Sequence, residues 1–565
     1  MSRFHRIALP VFGLAMIAVL GGLSLMKGGF YGSLYDGDML HLADIVLRMA
    51  DGQMPHRDFM TPIGPLAFWP ISGLVAAGQG IGLAMVGGQV AMALAILPLA
   101  LWAAASRFAG WTGFAFLAAT CLLPLALVQG GDVAGLSMSM HYNRWAWALA
   151  FVAVAVGVLP ARREAPILDA LAIGLPMAGL VLIKVTYVLA LAPAIIVVLA
   201  ARGDWRRLGA AVAVGIATLG AATAWLGLGF WEGYVTDLLA VANSPGRSYP
   251  GLPLGELLVA PGLIAGHALA LLSVILLRRG GQRELGLGLL FALPGFVYVT
   301  WQNFGHDPVW FVLWGLVLWA ALDTAGRRAA PGYIAVAMLA LGVPIFSNYA
   351  VSPLRHHAEK PGDFRAVFAG TRHDDFVILA DRMEQLDMSR AGERDFPEVF
   401  ARMAEADSRE GKPAILGGET LPTCKLSNAL VGWFPAIVRD IERAVPEGDL
   451  RIFSADLLNP LWIYSDRIAP LEGGTPWHYD GLPGIENATH VFVPLCPSSL
   501  FVRSETLAAL NARGDLHPVE VARNDLYILL RLDGSAQGAE PEIDDQRGTE
   551  GQAHRETRRG PTDPA

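Results

Sequence analysis

Acids, a lysine and an arginine recur in this chain at places where chemistry at a membrane surface is feasible. After a first apolar run, residues 8–26, comes Tyr35-Asp36-Gly37-Asp38, then Asp44, Asp51 and Asp58, then Thr61-Pro62-Ile63-Gly64-Pro65-Leu66. Charge beside a span is costly unless it sits at the water interface. A carboxylate against an apolar surface holds a proton more tightly than one in water, so it can take one from a hydroxyl. Asp36 and Asp38 are therefore candidate bases, and both also read as solvated loop acids. Asp132, in Gln129-Gly130-Gly131-Asp132, can position an acceptor. With a first-loop Asp it offers oxygen ligands suited to Mg²⁺ or Mn²⁺, and a helix or turn cap is the plain alternative.

The cations are fewer. Lys184 stands in the middle of the apolar block 167–201, where an ionisable residue is a functional candidate by default and a snorkelling lysine otherwise. Arg144, in His141-Tyr142-Asn143-Arg144-Trp145, can bind phosphate bidentately or anchor the interface beside Trp145 and Trp147. His306 and Asp307, in Gln302-Asn303-Phe304-Gly305-His306-Asp307-Pro308, form either part of a site or a simple turn.

Composition says what holds these residues. Of 565 residues 54% are hydrophobic and only 16% charged, with mean hydropathy +0.44, against about 25% charged in soluble chains. Eleven apolar runs have span character: 8–26, 82–105, 112–129, 145–160, 167–183, 185–201, 209–230, 257–277, 285–301, 309–325 and 331–347. The first has no clear small-residue cleavage site after it and reads as a retained span. A net charge of -8 argues against nucleic acid.

The stretch from Pro62 to Gly80 decides the orientation. Taken as an interfacial helix, it leaves 13 Arg on the segments 1–7, 106–111, 161–166, 202–208, 278–284 and 326–330. The opposite loops then carry only Lys27, Arg48, Arg57, Arg144 and Arg247. The positive-inside rule puts the Arg-rich side in the cytoplasm and the acidic loops, Lys184 and everything after residue 348 outside.

Beyond about Asn348 charge becomes frequent. Short apolar runs at 376–380, 414–416, 450–453, 489–493 and 526–530 read as strands, with helices at 397–406 and 434–444 between them. The expectation is a polytopic α-helical membrane domain over 1–347, an extramembrane α/β domain over 348–533 and a disordered tail over 534–565. The loop stretches 456–460 and 477–481 can contact an acceptor or serve only as turns. Cys424 and Cys496 fall outside, and sequence leaves their pairing open.

The pattern resembles the GT-C membrane glycosyltransferases, which include protein mannosyltransferases and lipid A aminoarabinose transferases. The residues that carry the resemblance are Tyr35-Asp36-Gly37-Asp38, Gly52-Gln53-Met54-Pro55-His56-Arg57-Asp58-Phe59 and Pro62-Ile63-Gly64-Pro65-Leu66. Gly37 stands where many relatives have Glu. The resemblance implies a bacterial inner-membrane enzyme of inverting type with a periplasmic C-terminal domain. It implies a polyprenyl-phosphate sugar as donor and a glycan, lipid or protein as acceptor. Asp36, Asp38 and Asp132 are then catalytic, and Asp58, Arg144, Lys184 and His306 bind substrate. A transporter or flippase of lipid-linked sugars, or a catalytically inactive assembly protein of this type, is the alternative. No matching halves of the kind transporters carry are visible.

Overall fold

The computed structural model describes residues 3–131, 133–244, 251, 253–303, 308–325, 329–384, 398, 402 and 414–532. Asp132, His306, Asp307, most of the expected helix 397–406 and the tail 534–565 lie outside the described residues.

Each apolar run of the sequence is helical. The first is continuous helix through Arg3–Met16, Ile17–Gly21 and Gly22–Met26. The others are Ile81–Arg107, Trp111–Leu125, His141–Val158, Pro166–Lys184, Thr186–Ala201, Trp205–Leu226, Pro261–Arg279, Arg283–Gln302, Trp310–Ala325 and Ala329–Ala358. Among the described residues, 7 helices are long and apolar enough to cross a membrane. Their outward side chains are apolar too, among them Leu14, Ile196, Ile216, Trp225, Ile275 and Val343. Only 6% of the apolar window in Trp205–Leu226 is buried. So large an exposed apolar surface needs lipid against it. The chain is a polytopic membrane protein with a sheet-containing region.

The apolar block around Lys184 folds back on itself. Asp169, near the start of Pro166–Lys184, pairs with Arg207, just beyond the end of Thr186–Ala201, at 3.4 Å. The two helices therefore form a hairpin that turns at Lys184. Asp169 also takes Arg107 at 2.8 Å and the Trp102 indole N–H at 2.8 Å, which satisfies a carboxylate that is otherwise fully buried. Arg162 and Arg202 join the same end through Ser106 and Val158. One end of the bundle is thus arginine-rich, and the hairpin turn at Lys184 is at the other.

Two segments differ from the sequence reading. Gly229–Asn243 is helical where a loop was expected, and its Phe230 and Tyr234 are buried against Leu226. The last bundle helix runs to Ala358, past the apolar limit at 347, because His356 is buried there. It stacks on Phe30 and accepts the Tyr31 N–H through Nε2 at 3.2 Å. Between Pro62 and Gly80 the structure has a turn, Pro65–Ala67, and a helix of 8 residues, Trp69–Ala76. At 1.5 Å per residue that helix is about 12 Å long, far short of a ~30 Å hydrocarbon core.

The sheets join the first loop to the C-terminal part. Strand β1 (Phe30–Gly32) pairs in parallel with β3 (Phe376–Leu379), which pairs antiparallel with β2 (Phe364–Ala366). Asp375 reinforces this junction by capping the start of Ile81–Arg107, taking the Gly82 and Leu83 N–H groups at 3.0 and 2.7 Å. A two-stranded hairpin, β4 (Ile415–Leu416) and β5 (Glu419–Thr420), follows. The third sheet has β6 (Ile452–Ser454), β7 (His490–Pro494), β8 (Pro518–Arg523) and β9 (Tyr527–Leu532) in the order β6-β7-β9-β8. Helix Leu430–Ala444 lays Phe434, Ile437, Val438 and Ile441 into the core, and Trp433 reaches Phe492 of β7. Helix Leu500–Ala512 contributes Leu507 and Leu510 to the cluster around Val491, Val493 and Ile528.

Candidate active site

Asp36 and Asp38 occupy the first turn of helix Asp36–Ala50, where the helix dipole favours negative charge. Two residues apart on a helix, they face different neighbours. Asp36 is buried and receives Arg382 Nη2 on Oδ1 at 2.5 Å; its Oδ2 has no hydrogen-bond partner among the described residues. Asp38 receives the Ser139 hydroxyl on Oδ2. One acid is thus held by the C-terminal part and the other by the loop that precedes helix His141–Val158.

The rest of helix Asp36–Ala50 is locked against both parts. Asp44 and Arg48 form a buried ion pair at 2.6 Å, with Trp462 donating to Asp44 at 3.1 Å. The Arg48 guanidinium lies over the Trp462 and Phe59 rings and donates to the Leu471 carbonyl. Burial pushes the Asp44 carboxyl up, against the opposing pull of Arg48. Asp51, by contrast, is exposed just past the helix end.

A cleft of about 400 Å³ opens at the acidic turn. Tyr35, Asp36, Gly37 and Asp38 line one side, and Lys425, Leu426, Ser427, Leu430, Leu457, Leu458, Trp477 and Ser498 the other. Its far lip is built by cross-links within the C-terminal domain. Cys424 and Cys496 are disulfide-bonded, which answers the question sequence left open, and Leu426 N–H donates to the Pro497 carbonyl at 2.9 Å. Arg503, buried, clamps the carbonyls of Pro422, Pro494 and Leu495. Asp456, one residue before Leu457, accepts from Ser498 Oγ and from the N–H groups of Leu457, Ser498 and Ser499. Burial raises its carboxyl and those hydrogen bonds oppose the rise. Asp456 therefore holds the lip together.

Three left-handed residues that are not glycine stand at helix starts around these groups: Tyr35 (φ 59), Met140 (φ 53) and Ala429 (φ 64). Each immediately precedes the helix that carries Asp36, His141 or Leu430. Strain of this kind persists where the surroundings fix it, and it clusters at functional sites.

Arg144 and Lys184 stand on the membrane side of this arrangement. Arg144 is buried and donates to the carbonyls of Ala126, Gln129 and Ser139 at 3.2, 3.1 and 3.4 Å, so it shapes the loop that presents Ser139. Lys184 Nζ donates to Asn143 Oδ1 at 3.2 Å and Asn303 Oδ1 at 2.8 Å, and lies 5.6 Å from the Tyr142 ring centre. Asn143 precedes Arg144, so a run of neighbours links Asp38, Ser139, Arg144, Asn143 and Lys184. Asp58 lies apart from it. It caps its own turn by accepting Met54 N–H at 2.6 Å and pairs with Arg57 at 3.0 Å. Burial raises its carboxyl, but Arg57 and the Met54 N–H outweigh this and hold it low.

Sequence reasoning missed Arg382, Ser139 and Lys425 as site residues. A lone Ser or Arg carries no motif, and only the pairing of β1 with β3 brings Arg382 to the first loop. Among the described residues no group of three or more His, Cys, Asp or Glu side chains is placed to hold a metal ion. Asp36 and Asp38 are each already bonded, to Arg382 and Ser139, so the residues described do not form a Mg²⁺ or Mn²⁺ site.

Comparison with known proteins adds no assignment: no protein-family model and no curated protein matches the chain.

Proposed function

We propose that the protein is a membrane glycosyltransferase of GT-C type, with eleven spans. In this reading it moves a sugar from a polyprenyl-phosphate donor to a hydroxyl of a glycan, lipid or protein, at the face that carries the C-terminal domain. That face is extracytoplasmic, as in a bacterial inner-membrane enzyme. Support comes from the arginine-rich opposite end and from the Cys424–Cys496 disulfide, which suits an oxidising space.

The observation that carries the reading is the cleft at Asp36 and Asp38, linked through Ser139, Arg144 and Asn143 to Lys184 at the hairpin turn. It sets carboxylates on the side open to water and a cation on the side of the bundle. A lipid-linked donor needs that polarity, because its tail stays in the bilayer while its phosphate and sugar reach the surface. A first-loop aspartate takes the proton of the acceptor hydroxyl as that oxygen attacks the anomeric carbon. The bond from the anomeric carbon to the phosphate oxygen breaks, and the electron pair leaves with the lipid phosphate. Negative charge grows on the phosphate oxygens, where the Lys184 ammonium counters it in a partly water-excluded setting. Attack opposite the leaving group inverts the anomeric centre.

The test is transfer by membranes containing the protein, supplied with radiolabelled polyprenyl-phosphate sugars, for the wild type and for Asp36→Asn and Asp38→Asn. Transfer by the wild type, lost in at least one variant, is expected. A wild type that moves labelled lipid-linked sugar across proteoliposomes without transferring it is a transporter, and the proposal fails.

A further inference from the structure

The two acids of the first turn are separated by register. In the parallel pair β1–β3, Gly32 stands opposite Ile378. Asp36 is four residues beyond the first and Arg382 four residues beyond the second, so parallel pairing carries both chains the same way and delivers the guanidinium to the carboxylate. The pair is tight at 2.5 Å, with the Asp36 side chain 4% exposed and that of Arg382 27% exposed. Asp36 Oδ2 and the buried Tyr464 hydroxyl have no hydrogen-bond partner among the described residues. Burial, and then the nearby Asp36 charge, push the Tyr464 phenol up, so it stays a neutral donor.

Within the glycosyltransferase reading, on which this rests, we infer that Arg382 is a positioning residue. It fixes Asp36 through Oδ1 and leaves Oδ2 to accept a hydrogen bond from the acceptor hydroxyl, while Asp38 takes the proton. Protonating Asp36 instead would leave a guanidinium in a mostly buried contact with a neutral acid, which is costly. Asp38 lines the same cleft, and its described partner is the neutral Ser139 hydroxyl. In the step, the hydroxyl proton passes to Asp38, its oxygen bonds the anomeric carbon, and the lipid phosphate departs with the electron pair. Asp36 orients the hydroxyl and keeps its charge throughout.

The test uses full-length protein in nanodiscs, with the polyprenyl-phosphate sugar that the wild type transfers, and compares R382Q, R382K, D36N, D38N and R382Q/D36N. Melting is followed alongside, and R382K keeps the test open where R382Q does not fold. Losing one hydrogen bond to a charged group costs roughly tenfold in binding or more. R382Q and D36N are expected to raise the acceptor KM about that much with kcat near wild type. The double variant should be no worse than the worse single, and R382K should fall between. D38N should lose kcat by about a thousandfold or more, the upper part of the general-base range. The acid limb of the kcat/KM profile should stay where it is in R382Q. The inference is overturned by a KM in R382Q and R382K within twofold of wild type, by D36N losing kcat as fully as D38N, or by an acid limb that moves up in R382Q. A wild type inert with every donor is a distinct result: it removes the glycosyltransferase reading itself, and the role of Arg382 with it.

Discussion

Asp38 and Arg144 meet on a single residue: Ser139 donates its hydroxyl to Asp38 Oδ2 and accepts Arg144 Nη1 on its carbonyl at 3.4 Å. The side chain of Ser139 therefore serves the acid of the first loop, and its backbone serves the cation of the next helix. The two contacts can be separated by mutation. Ser139→Ala removes the hydroxyl and keeps the carbonyl, so Arg144 retains its partner. A hydrogen bond to a charged group contributes about 1.5–3 kcal/mol, roughly 10- to 100-fold. Transfer by Ser139→Ala should fall by that factor with little change in melting temperature. Wild-type transfer in this variant would remove Asp38 from the chemistry.

The lip of the cleft depends on the Cys424–Cys496 bond. The cysteines are 72 residues apart, and closing a loop of that length stabilises by about 4 kcal/mol in the chain-entropy view. Lys425, Leu426 and Ser427 directly follow one cysteine, and Ser498 lies two residues past the other. Cys424→Ser, or treatment with reductant, should lower the melting temperature of the C-terminal domain by several degrees and weaken acceptor use more than donor use. A fall in donor use alone would place the acceptor elsewhere.

His478 makes the C-terminal domain sensitive to acid. Burial pushes its imidazole down to about 4, against the weaker upward pulls of the Gly481 backbone and Asp480. Its Nε2 has no hydrogen-bond partner among the described residues, and Phe453 lies edge-on at 5.8 Å. The unfolded chain takes up this proton near 6.5, the ordinary histidine value, and the folded chain only near 4. The folded state is therefore favoured in full above about 6.5 and loses that advantage as pH falls towards 4. A lowering of this size amounts to on the order of 3 kcal/mol. Melting temperature measured between pH 7 and 4 should drop, and His478→Gln should flatten the drop. An unchanged slope in the variant would place the proton uptake on another group.

The helices were legible because a bilayer imposes length and apolarity on each one independently of the others. The runs at 82–105 and 167–183 match Ile81–Arg107 and Pro166–Lys184 to within two residues. Strands that are buried on both faces were legible as well: β7 and β9 appear in the sequence as Thr489–Val493 and Leu526–Leu530. Strand β8 was not, because it is an edge strand with largely exposed side chains and no apolar run. Strand β1 was missed for another reason. Phe30-Tyr31-Gly32 is a strand only because residues 376–378, far along the chain, pair with it. The site followed the same division. Asp36, Asp38 and Lys184 are conspicuous against apolar surroundings, whereas Arg382, Lys425 and Ser139 matter through contacts across the fold that no local pattern encodes.

Sidedness is the remaining test, and it bears on every functional statement above. Arg107, Arg162, Arg202 and Arg207 gather at one end of the bundle around Asp169, and Arg278, Arg279 and Arg283 flank the short turn between helices Pro261–Arg279 and Arg283–Gln302. The gathering of Arg on short loops fixes orientation during insertion, so these turns belong in the cytoplasm. Gly281 lies in that Arg-flanked turn, and its φ of 92 keeps it outside the helices. Gly362 lies in the exposed turn Pro361–Asp363, just after the last bundle helix has carried the chain to the C-terminal domain. Alkaline phosphatase folds only where its disulfides form, in an oxidising compartment. Fused at Gly362 it should be active, and fused at Gly281 inactive. The reverse result would put Asp36, Asp38 and the cleft in the cytoplasm, beside a disulfide that a reducing compartment does not maintain, and the proposed extracytoplasmic transfer would fall.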